Sequence, residues 1–397
     1  MSKKRIMILG GNLVQTDAVR CAHELGYHVI CADEHRDAPG HCMADEQCYI
    51  DISDREAVLR EARERHIDGI IPYASDALAT VAAYVGEQLH LPGNPLSVIE
   101  TMTQKPKFRR FMQEHGFPVP QAEGCRTIDE ALQFMGRVGK PVMIKPADAS
   151  GSKGVFRVCS ECEMREHWSE TQSYSQFGEV VVEEYIDSVG LQQDGDIFVS
   201  DGEIKFWGVC DQRKDVAVSP FAPTMLSFPS MVDSAVETRA KQLMQQVITA
   251  LGFRMGACNV EYVVDRHGEV YILEIGPRNG GNMIPYVIKE ATGFDILAAT
   301  ICQAVGDEPV SVREIKKRYA MSVVVHSKEN GTLRGITLAE SVRGNVCRQL
   351  MFMKEGDRVH VFRNGRDTVG LLVFCFDSAA DMQSAIESGV VEVEVAN

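Results

Sequence analysis

The first 95 residues alternate short apolar runs with amphipathic stretches, and this alternation limits the fold more than any other feature of the chain. The apolar runs cover residues 6–9, 27–32 and 67–72, and helical periodicity separates them at 16–25 and 53–65. This strand–helix–strand–helix–strand order predicts a doubly wound parallel sheet of the α/β class. The first strand ends in G-G-N-L-V-Q rather than G-x-G-x-x-G, so we expect a scaffold domain without its own dinucleotide.

Composition narrows the classes of function. The chain carries 41 Lys and Arg against 56 Asp and Glu, a net charge of −15, which excludes a broad nucleic-acid-binding or anionic-membrane surface. No run of 18 apolar residues occurs, and the N-terminal apolar run is too short for a signal peptide. The 12 cysteines then predict reduced thiols in a cytoplasmic protein. Cys159 and Cys162 form a C-x-x-C without a second ligand pair, so coincidence is favoured over a metal site.

A lysine followed by small residues marks a candidate phosphate site. Lys145 ends an apolar strand and directly precedes a loop rich in Ser and Gly. Small residues let backbone N–H groups approach phosphate oxygens while an ammonium group supplies charge. The loop residues expected to contact phosphate are Ser150, Ser152, Lys153 and Gly154. The pattern is not a Walker P-loop, and a plain surface turn is the alternative.

An acidic segment follows this loop. Residues 179–203 hold eight carboxylates and no Lys or Arg, and an apolar strand inside the segment runs into Glu183, Glu184, Tyr185 and Ile186. Backbone groups at such a strand end can bind the edge of adenine, and a carboxylate can accept from its amino group. A solvated acidic turn is the alternative interpretation.

Residues 259–282 predict a β-hairpin with its turn at 265–268 and with Glu261 and Glu274 on its two strands. A two-residue turn would pair Glu261 with Ile272 and leave Glu274 as the diagonal neighbour on the same face, about 7–8 Å away. Two carboxylates at that separation can converge on Mg²⁺, which prefers oxygen ligands. A bulged turn would shift this register by one residue.

Glu274 interrupts an apolar strand, so a cationic partner is expected, and Arg278 stands four residues further on. Arg278 can serve as that partner, or it can bind an acyl phosphate through two parallel hydrogen bonds. Arg213 and Lys214 can bind phosphate or a substrate carboxylate. A surface charge pair is an equally good interpretation of these two residues. The candidate substrate contacts are Arg213, Lys214, Gly280, Gly281 and Asn282.

Taken in order, these features resemble the ATP-grasp superfamily of ADP-forming ligases over nearly the whole chain. The segment P-R-N-G-G-N-M-I-P is most similar to its carboxylate–amine ligases, the amino-acid and dipeptide type. The resemblance implies two α+β lobes that clamp ATP and a β-rich C-terminal portion packed on the second lobe. The implied domains are a pre-ATP-grasp α/β domain at 1–95, a central lobe with the phosphate loop and hinge at 96–187, a metal-bearing lobe at 188–310, and the C-terminal portion at 311–397.

The resemblance also implies how ATP would be held. Lys105 and Lys145 would contact its phosphates, the loop at 150–154 would close over them, and residues 183–186 would hold adenine. The acidic residue that binds ribose is not obvious from the sequence. Its candidates are Asp187, Gln192 and Asp194.

Metal binding departs from the family pattern at one position. Glu261 and Glu274 would carry Mg²⁺, with Mn²⁺ as an alternative. Many ATP-grasp members continue as E-x-N-x-R, but the position of the Asn is Gly276 here. Asn279 or Asn282 would then complete the site, or phosphates and water would, and the number of metal ions stays open.

The implied reaction joins a small-molecule carboxylate to an amine. The carboxylate attacks ATP to form an acyl phosphate, and the amine then displaces phosphate, with Arg278 and Lys145 as catalytic residues. A biotin-carboxylase-like or carbamoyl-phosphate-type enzyme using bicarbonate is the alternative. A nicotinamide-dependent oxidoreductase would need the dinucleotide-binding fingerprint, which this sequence lacks. A non-catalytic nucleotide-binding module would be expected to have lost the metal-binding carboxylates, whereas both glutamates are present here. The family further implies a homodimer.

Overall fold

The computed structural model describes residues 3–139, 141–149, 151–310 and 318–396, and its N-terminal part is a parallel sheet in the order β3-β2-β1-β4. Its alternating strand positions pack against helices on both faces, which confirms the predicted doubly wound α/β class. The elements are β1 (Arg5–Leu9), α1 (Thr16–Glu24), β2 (His28–Ala32), α2 (Pro39–Met43), β3 (Glu46–Cys48), α3 (Arg55–Glu64), β4 (Gly69–Ile71) and α4 (Asp76–Leu89).

Two helices lead from this sheet into a second sheet, which is antiparallel with the order β5-β8-β6-β7. Val142 and Ile144 of β6 point into the core beneath the helices, so Met143 and Lys145 lie on the opposite face. The elements are α5 (Leu96–Thr103), α6 (Lys105–Glu114), β5 (Ala122–Cys125), α7 (Ile128–Val138), β6 (Val142–Pro146), β7 (Phe156–Val158), α8 (Glu161–Ser173) and β8 (Val180–Glu184).

The remaining chain builds an eight-stranded sheet in the order β13-β12-β9-β10-β11-β14-β18-β16 and a small sheet in the order β17-β15-β19. Strands before and after residue 310 share the large sheet, because β11 pairs with β14. The strands are β9 (Gln192–Ser200), β10 (Glu203–Arg213), β11 (Met225–Phe228), β12 (Gly256–Val264), β13 (Val270–Gly276), β14 (Tyr319–His326), β15 (Gly331–Leu338), β16 (Val346–Met351), β17 (Arg358–Val359), β18 (Thr368–Phe376) and β19 (Val391–Ala396).

Helices cover both faces of the large sheet and bury apolar clusters there. They are α9 (Ser234–Leu251), α10 (Ile284–Thr292), α11 (Ile296–Ala304) and α12 (Ala379–Ser388), with 3₁₀ turns at Glu340–Asn345 and Gly365–Asp367. Within the described ranges, none of the helices combines the length and apolarity needed to cross a bilayer.

The cysteine prediction needs correction at one pair. Cys347 on β16 and Cys375 on β18 form a disulfide, with their Cα atoms 6.3 Å apart, because the two edge-side strands are neighbours in the sheet. The other ten cysteines are free, and Cys159 and Cys162 are exposed.

Candidate active site

A cavity of about 410 Å³ lies where the antiparallel four-stranded sheet faces β9, β12 and β13 of the large sheet. Most of the predicted site residues line it. Those in the lining are Lys105, Lys145, Ser152, Glu183, Glu184, Tyr185, Ile186, Lys214, Glu261, Glu274, Arg278, Gly281 and Asn282. Those outside the lining are Lys153, Gly154, Arg213, Asn279 and Gly280. Ser150 lies outside the described residues.

Lys105 links two walls of the cavity. It is the first residue of α6, and its Nζ donates to the carbonyl oxygen of Ala149 at 2.7 Å. The same Nζ lies 3.6 Å from Oε1 of Glu274, while the Lys105 backbone N–H donates to Ala147 at 3.1 Å. This lysine therefore brings a positive charge to the junction of the phosphate loop and the hairpin.

Lys145 is held by a buried carboxylate. Its Nζ donates to Oε1 of Glu183, and Nε of Arg109 donates to Oε2 of the same residue at 2.9 Å. Burial favours the neutral acid, but the two cations outweigh it and lower the pKa of Glu183 to about 2. Both oxygens of Glu183 are thus occupied. This arrangement orients Lys145, and adenine binding by Glu183, which lines the cavity, stays a prediction.

Residues 184–186 form one edge of an apolar slot. The backbone N–H groups of Glu184 and Tyr185 donate to Gln121 and Pro141 at 2.8 and 3.0 Å, which fixes the path of the segment. The guanidinium carbon of Arg157 lies 4.6 Å from the centre of the Tyr185 ring. The apolar side chains in the adjoining lining are Met143, Val263 and Leu273. A slot of this kind can accept a flat aromatic base.

The phosphate loop adopts conformations that its small residues permit. Gly154 has φ of +63°, and a Cβ there would lie 2.7 Å from Cδ2 of Tyr174, so only glycine fits. Ser152 has φ of +57°, and its Oγ donates to the carbonyl oxygen of Phe221 at 3.2 Å. Lys153 is half-buried outside the lining, and burial lowers the pKa of its ammonium group. Ser152, rather than Lys153 or Gly154, presents a side chain to the cavity.

The hairpin register differs from the prediction by one residue next to the turn and by two residues at Glu261. Tyr262 pairs with Ile272 and Glu261 pairs with Glu274, with an irregularity between Glu261 and Tyr262. The predicted pairing of Glu261 with Ile272 is therefore wrong, because the turn is longer than predicted and a bulge at Leu273 adds a second shift. Its effect is to place the two glutamates directly opposite one another instead of diagonally.

A third carboxylate extends this pair. Asp194 on β9 is the partner of Glu261 on the other side of β12, so Asp194, Glu261 and Glu274 form a row across three strands. Burial and then the neighbouring carboxylates raise the pKa of Glu261 to about 8, and burial raises that of Asp194 to about 7. The three carboxylates lie on adjacent strands at one wall of the cavity, and carboxylate oxygens are ligands that a divalent cation prefers.

A second row lies beside the first and contains Asn259. Asn259 pairs with Gly276 on one side and with Asp196 on the other. Its Nδ2 donates to Oδ1 of Asp194 at 2.9 Å and to Oδ1 of Asp196 at 3.2 Å. Asn259 lines the cavity, whereas Asn279 is 2% exposed and does not. Asn279 is thus badly placed for the predicted role as a metal ligand.

Two of the predicted substrate contacts are engaged elsewhere. The backbone N–H of Gly280 donates to both oxygens of Asp196 at 2.8 Å, so it is not available to a substrate. Nη1 of Arg213 donates to Oγ of Ser227 at 2.7 Å, and Arg213 lies outside the lining. Lys214 does face the cavity, where its Nζ donates to Oε1 of Gln192 at 2.9 Å, and burial lowers its pKa.

Gln192 is one of the three residues predicted as candidates for binding ribose. Its Nε2 donates to Oε2 of Glu261 at 2.6 Å, so it connects Lys214 to the carboxylate row. Asp187 is exposed, pairs with Arg266 and lies outside the lining. Of the three ribose candidates, Gln192 and Asp194 line the cavity, and both already contact other side chains.

The sequence analysis did not predict three features of the site: Arg109, Asp76 and the position of Asp194 in the row of carboxylates. A signal existed for two of them. Lys105 and Arg109 are four residues apart on a helix and therefore share a face, and Asp194 precedes Asp196 by two residues on a strand. Asp76, which binds Arg278 from the N-terminal sheet, carried no local signal.

The chain is similar in sequence to known proteins. The family model for the carbamoyl-phosphate synthase L chain, ATP binding domain, matches residues 104–309, more than half of the chain. An uncharacterized protein of Sinorhizobium fredii is 26% identical over 370 residues, 88% of this chain and 73% of that protein. The formate-dependent phosphoribosylglycinamide formyltransferase of Rhodococcus jostii is 28% identical over 291 residues, 69% of this chain and 68% of that protein.

The fold is also found in solved structures. The L-amino acid ligase from Bacillus licheniformis superposes with a TM-score of 0.84 at 20% identity, over 100% of both chains. The matched residues 104–309 include the phosphate loop, the hinge and both glutamates of the hairpin. The resemblance predicted from the sequence is confirmed, and the chain belongs to the ATP-grasp ligase family through the ATP-binding domain described for the carbamoyl-phosphate synthase L chain.

Proposed function

We propose that this protein is an ADP-forming, ATP-dependent ligase that activates a carboxylate as an acyl phosphate and joins it to an amine. The observation that carries the proposal is the convergence of Lys145, the carboxylate row and Arg278 on one cavity. The L-amino acid ligase among the similar structures supports an amino acid as the carboxylate substrate.

The phosphates of ATP would lie between Lys105 and Lys145, beneath the phosphate loop. Glu183 and Arg109 keep the Lys145 ammonium group pointing into the cavity, so its charge is in place before ATP binds. The slot at residues 184–186 would take the adenine. Catalysis in such a site is mostly positioning and charge neutralisation.

The residues of the first row fit a divalent metal. Asp194, Glu261 and Glu274 offer carboxylate oxygens from adjacent strands, and burial together with neighbouring carboxylates raises the pKa values of Asp194 and Glu261. They would hold Mg²⁺, or Mn²⁺ in its place, and the bound ion would neutralise phosphate charge. The Lys105 ammonium group, 3.6 Å from Glu274, borders the same region.

Arg278 would bind the acyl phosphate. The carboxylate oxygen attacks the γ-phosphorus and releases ADP, and the amine nitrogen then attacks the acyl carbon and releases phosphate. Arg278 lines the cavity with little solvent exposure, so its hydrogen bonds to an anion are strengthened. The Ser152–Phe221 hydrogen bond ties the phosphate loop to another part of the lining, and such closure excludes water from the intermediate.

A phosphate-release screen tests the proposal. Purified protein with ATP and Mg²⁺ is offered amino acids and small carboxylates, each with and without a second amine, and bicarbonate in a separate arm. Phosphate release that requires both a carboxylate and an amine, with an amide product detected by mass spectrometry, supports the ligase. Release driven by bicarbonate alone would contradict it and favour the carboxylase-type alternative.

The site assignment is tested by Glu274→Ala, which should abolish Mg²⁺-dependent phosphate release while leaving the circular dichroism spectrum unchanged. Glu269→Ala is the matched control, because Glu269 is exposed on the turn of the same hairpin. Near-wild-type turnover of the Glu274 variant would refute the role of the row.

A further inference from the structure

The guanidinium group of Arg278 is held by a residue from the N-terminal part of the chain. Nη2 of Arg278 donates to Oδ2 of Asp76 at 2.7 Å, and the two side chains are 11% and 14% exposed. Asp76 is the first residue of α4, directly after a segment in which Ala74 lines the cavity. The N-terminal sheet thus supplies part of the wall and one ion-pair partner.

Other contacts leave Arg278 weakly fixed. Nη1 donates to the carbonyl oxygen of Asn279 at 3.3 Å, and Nε is buried without a hydrogen-bond partner among the described residues. Among the residues that the structure describes, Asp76 alone lies within ion-pair distance of the guanidinium group. The orientation of a long, flexible side chain therefore depends mainly on one carboxylate.

Gly276 is what makes room for this ion pair. A Cβ at position 276 would lie 2.6 Å from Oδ1 of Asp76 and 3.1 Å from Cζ of Arg278. Both atoms are at the ends of side chains, so a Cβ there would push the ion pair out of its present position. An asparagine at this position, which the family pattern would provide, is incompatible with Asp76 in its present place.

From these contacts we propose that Asp76 is a positioning residue that aims Arg278 at the acyl-phosphate site, and that Gly276 leaves the space that Asp76 needs. The inference rests on the proposed function for the role of Arg278, but the ion pair itself is independent of it. It follows that the active site is complete only when the N-terminal sheet is docked.

The kinetic test uses Asp76→Asn, which keeps the shape and removes the charge. We expect kcat to fall about 10- to 100-fold, as for a small misplacement of a reacting group, with an unchanged KM for ATP. Gly276→Ala should reproduce this loss because its methyl group displaces Asp76, and Asp76→Glu should recover part of it. In an Arg278→Met background, Asp76→Asn should cost less than twofold more. Equal losses in both backgrounds would overturn the proposal.

A chemical test does not depend on turnover. Phenylglyoxal modifies accessible guanidinium groups, and peptide mass spectrometry reports the rate at Arg278. We expect Asp76→Asn to raise that rate at least fivefold, whereas Glu87→Gln, an exposed change on the same helix, should leave it unchanged. An unaltered rate at Arg278 would refute the positioning role. If no substrate pair supports turnover, the proposed function fails while this measurement still decides the role of Asp76.

Discussion

Replacing Glu183 with glutamine should destabilise the antiparallel four-stranded sheet and weaken ATP binding together. Glu183 is 3% exposed and accepts from both Arg109 and Lys145. Glutamine keeps the size of the side chain but leaves two buried cations without a counter-charge, and breaking a buried pair in this way is strongly destabilising.

The magnitude follows from the titration of the carboxyl group. Its pKa falls from an ordinary 4.5 to about 2, and at about 1.4 kcal/mol per unit this corresponds to roughly 3 to 4 kcal/mol of stabilisation. Because the folded pKa lies below the unfolded one, that stabilisation is present above about pH 4.5 and is lost as the pH falls toward 2. The difference between wild type and variant should therefore be constant from pH 6 to 8 and shrink in acid.

Urea unfolding followed by tryptophan fluorescence measures this effect locally. The chain has 2 tryptophans, and Trp168 lies in the core beneath the antiparallel sheet, so a Trp207→Phe background isolates its signal. Glu123→Gln is the control, because Glu123 pairs with Arg137 on the surface of the same sheet and should cost under about 1 kcal/mol. A loss at Glu183 no larger than in this control, or one that is unchanged at pH 3, would refute the reasoning.

Three further predictions concern the cavity. Gly154→Ala should raise the KM for ATP about tenfold because its methyl group meets Tyr174, whereas Gly151→Ala, whose Cβ has a nearest contact at 3.9 Å, should change it less than threefold in the same assay. The metal-free protein should melt at lower temperature as the pH rises from 5 to 8, because the folded pKa values of Asp194 and Asp196 are raised to about 7, and calorimetry should show Mg²⁺ offsetting this loss at pH 8. Asp194→Asn should raise the Mg²⁺ concentration for half-maximal phosphate release about 10- to 100-fold, while Asp201→Asn on the following exposed turn leaves it unchanged.

Local patterns were sufficient for the elements and for the order of the motifs. Strand and helix periodicities in the first 95 residues predicted a parallel sheet that the structure confirms. The hairpin at 259–282 was also predicted, because its turn and its alternating residues are close in sequence. Its register was wrong because the turn shifts the pairing by one residue and the bulged residue Leu273 shifts it by another.

Contacts between distant segments could not be predicted in this way. Arg109 and Glu183 are 74 residues apart, and Asp76 and Arg278 are 202 residues apart. These residues meet because of the way the sheets and helices pack, and the local sequence does not determine that packing. The same reason explains why the contacts of Glu183 with Arg109 and Lys145 were not predicted.

The pairing of β11 with β14 has a consequence for how the chain can be divided. Residues after 310 supply β14, β18 and β16 to the sheet that also holds the carboxylate row. A protein truncated at residue 310 would expose the backbone N–H and C=O groups along β11 as a new sheet edge, which invites pairing with other copies. The C-terminal portion is therefore not an appended module, and a chimera that exchanges it must preserve the register of Met225 with Val323 and Phe228 with Ala320.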